Sequence, residues 1–66
     1  METAAAKRKL MQAGYSLADR PSRYFDNEIV LSWRGAAIGV LCEQRGNVHA
    51  GEVEAFLANA SKQPSS

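Results

Sequence analysis

Few residues in this chain are of a type that could carry chemistry, and each has a competing use. Asp26, Glu43 and Arg45 come first. An acidic residue ahead of one strand, followed by Glu-x-basic at the end of the next, is an arrangement found in metal-dependent nucleases. Strand parity puts residues 43 and 45 on one face. Carboxylates there could bind Mg²⁺, which activates water and stabilises the departing oxygen. The same spacing also arises by chance in many chains. Cys42 and His49 form a second pair. A Cys/His nucleophile needs an orienting third group and an oxyanion hole. Cys42 falls mid-strand on an apolar face and is expected to be an inert core thiol, and His49 to belong to a capping turn. One cysteine and one histidine leave no internal disulfide and too few ligands for a zinc site. No metal and no cofactor is expected.

Basic and aromatic side chains form the third group. Lys7, Arg8 and Lys9 are followed by Arg20, Arg23, Arg34 and Arg45, interleaved with Glu2, Asp26, Glu28, Glu43, Glu52 and Glu54. Eight basic against seven acidic residues give a net charge of +1, too little for the strong counterion release of a phosphate-binding surface. Most of these charges therefore read as a solvated face. Trp33 reads as core. Tyr24 and Phe25, beside Arg23 in a loop, mark a contact surface instead. The candidate binding residues are Arg20, Arg23, Tyr24 and Phe25, with Lys7 and Arg8.

Stepping from these residues to the segments that hold them, residues 3–13 are rich in helix formers, with Thr3 as N-cap and Gly14 as the stop. Ala6, Leu10 and Ala13 make an apolar stripe that Ala4 and Met11 could widen. Glu2 to Lys7 matches the start of the ribonuclease S-peptide, yet it merges into this helix and reads as native. Residues 15–18 alternate as a short strand, and Asp19-Arg20-Pro21-Ser22 is a turn. Ile29, Leu31 and Trp33 share one face of a second strand. Arg34-Gly35 turns the chain into a third, residues 36–42, with Ile38, Val40 and Cys42 on one face and Leu41 on the other. Gly39 permits close approach by another backbone, or marks a bulge. A helix over residues 50–61 follows, with Val53, Phe56, Leu57 and Ala60 as its stripe. Leu57 is expected to be buried and essential there. Residues 63–66 read as a frayed tail.

Leu10 to Tyr15, Asp26 to Leu31, Ile38 to Cys42 and Asn47 to Leu57 follow one another in an order that resembles the core of Mrr-type restriction endonucleases, of the PD-(D/E)xK nuclease superfamily. The resemblance covers about residues 10–60 and implies a metal-dependent nuclease fold. Aligned through Cys42, the family's Gln-Cys-Lys falls on Leu41-Cys42-Glu43, losing both active polar residues. Shifted, it falls on Glu43-Gln44-Arg45, with Arg for Lys. Arginine stays protonated and presents a fixed planar fork, so it does not replace a hydrolytic lysine. The resemblance thus implies a reduced, inactive relative. A double-stranded-RNA-type αβββα domain matches element order only, without the lysines that such domains place at the start of the second helix.

Sixty-six residues make one domain, spanning 1–62 ahead of the tail, and 45% hydrophobic residues suit a folded chain. A core this small supplies no more than about 3–5 kcal/mol. With disulfide and metal excluded, a second subunit is the remaining reinforcement. No apolar run spans a bilayer and no signal peptide opens the chain, so the expected location is the cytoplasm. The expected class is α+β: a helix, a two- or three-stranded antiparallel sheet, and a helix. The expected function is a non-enzymatic binding module for a protein partner, a second copy included, or a nucleic acid. The alternative is a reduced metal-dependent nuclease built on Asp26, Glu43 and Arg45.

Overall fold

The computed structural model describes residues 1–62; the expected tail, 63–66, lies outside the described residues. Helix α1 (Thr3–Gln12) leads into strands β1 (Ser16–Arg20), β2 (Asn27–Trp33) and β3 (Ala36–Glu43), and helix α2 (Ala50–Ser61) follows. The strands form one antiparallel sheet in the order β1-β2-β3, so the fold is the α+β arrangement expected from the sequence, with three strands. No helix among the described residues is long and apolar enough to cross a membrane.

Alternation along β2 decides which face of the sheet is covered. Ile29 and Leu31 are fully buried and Val30 between them is not. Residues opposite one another in an antiparallel pair share a face, so Ile29 brings Asp19 and Leu41 to its side, and Leu31 brings Leu17 and Gly39. Ala6 and Leu10 of α1, Val53 of α2, and Tyr15 and Val48 complete the core. The other face carries Ala18, Val30 and Val40, with Arg20, Glu28 and Cys42 beside them.

Two details of the β2–β3 hairpin follow from its residues. Arg34 and Gly35 are the whole loop, with φ of 53° and 86°. Two positive φ values give the turn whose twist matches paired strands, and Gly35 adopts its value at no steric cost. Further along, Leu31 faces Gly39 while Ser32 faces Ala37, so Ile38 is the extra residue of a β-bulge. A Cβ on Gly39 would fall on the Phe56 ring of α2. The expected bulge lies beside Gly39, at Ile38, and the close approach at Gly39 is by the Phe56 side chain rather than by another backbone.

Several expectations are corrected. Cys42 is half-buried rather than a core thiol, because the covered side of β3 is the one bearing Gly39 and Leu41. Leu57 is also half-buried; Val53 is the residue of α2 that sits fully inside, and Leu57 packs at the core's rim. Met11 and Ala4 are exposed and do not widen the α1 stripe. Asp19 and Arg20 belong to β1 rather than to a turn. Thr3 is the first helical residue and Glu2 the cap; Thr3 is buried, and its Oγ1 finds no partner among the described residues. His49 does hold the cap position of α2, without a side-chain cap bond.

Candidate interaction surface

The β1–β2 connection, residues 21–26, carries two of the exposed large side chains among the described residues, Tyr24 and Phe25. Its backbone is nonetheless held at both ends. Pro21 fixes φ at the entry. Ser22 Oγ accepts the amide N–H of Tyr24 at 3.3 Å and of Phe25 at 3.1 Å. The Asp26 N–H donates to the Glu43 carbonyl at 3.1 Å. Asp26 Oδ2 in turn accepts the Arg45 N–H at 2.7 Å, a charge-assisted bond that steadies the turn where Arg45 takes φ 56°. Below the loop, Arg20 Nε donates to Glu28 Oε1 at 2.9 Å across the strand pair.

Tyr24 projects from this held loop at 82% exposure and Phe25 at 42%. Arg23 is exposed beside them and makes no ion pair among the described residues. Phe25 also forms one wall of a cleft of about 460 Å³, lined further by Cys42, Gln44, Asn47, Val48, His49 and Glu52. Cys42 and His49 thus border one cleft. Among the described residues, no group of three or more His, Cys, Asp or Glu side chains is disposed to hold a metal ion.

The basic candidates divide into two groups. Lys7 Nζ donates to Asp19 at 2.9 and 3.2 Å, and the Asn27 amide donates to the same carboxylate at 3.0 Å. The bond from Lys7, then that from Asn27, holds the Asp19 carboxyl below its usual range. Lys7 and Arg20 are therefore each matched by an acid, whereas Arg8 and Arg23 are exposed. Arg20, Arg23, Tyr24 and Phe25 share one end of the sheet, and the Asp19 contact brings Lys7 of α1 to the adjoining strand. Asp26 also meets Glu43 and Arg45, its N–H donating to the Glu43 carbonyl and its carboxylate accepting the Arg45 N–H. β3 ends at Glu43 and Arg45 lies in the turn beyond, so strand parity does not set 43 and 45 on one face.

Sequence reasoning missed the work of Ser22 and Asp26 in shaping the loop. The signal was present: Ser and Asp in a Pro-led turn bond to amides nearby, which competes with regular structure. The partner of Asp26, nineteen positions along, carried no such signal.

No family model, curated protein or solved structure matches the chain.

Proposed function

We propose that this chain is a non-enzymatic protein-binding module, and that its contact element is the loop 21–26 with Arg20, Arg23, Tyr24 and Phe25. One observation carries the reading: the most exposed large apolar side chain, Tyr24 at 82%, stands on a backbone fixed by Ser22 Oγ and by the Asp26–Arg45 bond. A pre-ordered loop loses little entropy on binding. Tyr and Arg are the side chains that most often dominate binding energy, because each offers a large rigid surface and a polar end. A protein partner is favoured over a nucleic acid because Lys7 and Arg20 are each matched by an acid at 2.9 Å. Neutralised cations release few counterions.

The nuclease alternative draws on the meeting of Asp26 with residues 43–45. Against it, one oxygen of the Asp26 carboxylate already holds the Arg45 N–H, and arginine is a poor substitute for the lysine of such sites. Affinity capture from source cells with the wild-type chain and with Tyr24→Ser tests the main reading. The expected result is a recurring protein that is lost with Tyr24→Ser while the melting temperature stays unchanged. Duplex DNA binding that weakens steeply with salt would overturn it. So would Mg²⁺- or Mn²⁺-dependent nicking of plasmid that disappears in both Asp26→Ala and Glu43→Ala.

A further inference from the structure

The cleft beside the loop has an apolar lining with polar groups around it. Phe25, Cys42 and Val48 supply the apolar part; Val48 is buried, Cys42 half-buried and Phe25 exposed. Gln44, His49 and Glu52 supply polar side chains. Among the described residues, none of these three makes a side-chain hydrogen bond or an ion pair. The Asn47 amide, by contrast, already donates to the Arg45 carbonyl at 3.0 Å. Among the described residues that line the cleft, Glu52 is the one acid, and none is lysine or arginine. A volume of about 460 Å³ is within the range of sites that hold a small ligand or a side chain.

We propose, resting on the loop reading above, that this cleft receives one arginine side chain of the protein that the loop 21–26 contacts. Phe25 belongs to both the loop and the cleft, so a partner seated on the loop reaches the cleft directly. Charge complementarity selects the occupant. A cation entering the cleft meets the Glu52 carboxylate and no positive lysine or arginine side chain. The apolar stem of an arginine suits the Val48 and Cys42 lining. Its flat guanidinium stacks on an aromatic ring such as Phe25 while its N–H groups donate to Glu52 and to the Gln44 amide oxygen. Lysine is a compact, strongly hydrated point charge and gains less from a ring and an apolar wall. An anion is the competing occupant, because His49 caps α2 and the positive end of that helix reaches the same cleft. Glu52 stands in the first turn of α2 and opposes an anion there.

Amide NMR titrations of the full chain test this with three probes: N-acetyl-arginine amide, its neutral isostere N-acetyl-citrulline amide, and the anionic N-acetyl-glutamate amide. The arginine probe is expected to shift the amides of Phe25, Val48 and His49 saturably, in the millimolar range. The citrulline probe on wild type, and the arginine probe on Glu52→Gln, are each expected to bind roughly fivefold more weakly or worse. The citrulline arm uses the wild-type fold, so it decides the matter whatever the stability of Glu52→Gln. Absence of saturable shifts with the arginine probe would overturn the proposal. Equal binding of arginine and citrulline, or tighter binding of glutamate, would do so too. Tyr24 does not line the cleft, so Tyr24→Ser should bind the arginine probe as wild type does. Arginine binding with no captured protein lost on Tyr24→Ser would sink the loop reading and keep the cleft. A captured protein lost on Tyr24→Ser, with no arginine binding, would sink the cleft and keep the loop.

Discussion

The two helices share one sheet face but not one depth. From the sequence α2 has the stronger stripe: Val53, Phe56, Leu57 and Ala60. Yet α2 has Val53 alone fully inside, whereas α1 sinks Ala6 and Leu10 completely and Thr3 nearly so. The difference lies in what anchors each helix. Thr3 N–H donates to the Gly46 carbonyl at 2.9 Å, Val48 N–H to the Met1 carbonyl at 2.8 Å, and Lys7 grips Asp19. α2 is tied by the Tyr15 hydroxyl, which donates to the Phe56 carbonyl at 2.6 Å, and by the Phe56 ring lying on Gly39. A helical stripe shows which side faces inward. How far it goes in depends on the bulk of the residues beneath it, and small residues such as Ala6 permit the closer approach.

Leu10→Ala should break the comparison most decisively. Leu10 is fully buried at the centre of α1, so the truncation should cost about 2–5 kcal/mol and abolish or nearly abolish a cooperative thermal melt. Leu57→Ala is the matched test on α2. A half-buried leucine should cost about 1–2 kcal/mol, less than Leu10 by denaturant midpoint. Equal losses at the two sites would show the helices to be equivalent.

Tyr15→Phe removes the tie between the helices' two territories. The Tyr15 ring packs edge-on against Trp33 at 5.1 Å and Phe56 at 6.0 Å, and those contacts survive in phenylalanine. The lost hydroxyl bond should cost about 0.5–1.5 kcal/mol by urea titration. Burial pushes the Tyr15 phenol above its usual pKa, opposed by a bond with the Asn59 side chain. Stability drawn from the neutral phenol is therefore complete below the unfolded pKa and declines as pH rises through the folded one. Wild type should lose stability in alkali that Tyr15→Phe retains, as melts at rising pH would record.

The smallest expected effect is at Asp19. Its pKa is depressed in the fold, so its contribution is present above the unfolded carboxylate pKa and vanishes as pH falls through the folded one. Asp19→Asn should melt slightly below wild type at neutral pH, and the two curves should converge in acid. A constant gap at every pH would assign the loss to shape rather than charge.

Legibility in the sequence followed the range of the interaction. The α2 boundaries, the Arg34-Gly35 turn and the buried pair Ile29 and Leu31 depend on neighbours in sequence, and local patterning located them. The covered side of β3 did not follow from its own composition, since Ile38, Val40 and Cys42 are as apolar as Leu41. Pairing with Ile29 settles that question, and the bulge at Ile38 then offsets the register beyond Gly39. At the candidate surface, exposed Tyr24 beside Arg23 was readable from residue type and the nearby Pro21. The depth of Leu57 and the Asp26–Arg45 bond were not, because both depend on segments distant in the chain.

The stitch between Met1 and Val48 bears on the order of assembly. Met1 N donates to the Val48 carbonyl across 47 positions of chain, and the Val48 N–H returns the bond. The hairpins β1–β2 and β2–β3 join near neighbours, so they close with far less entropy loss. Contact range thus predicts a meander that forms early and a stitch that closes after the transition state for folding. Val48→Ala keeps both backbone bonds but truncates the buried side chain beside them. It should therefore speed unfolding while refolding keeps nearly its wild-type rate, the outcome expected if the docked start of α1 is the part that opens first.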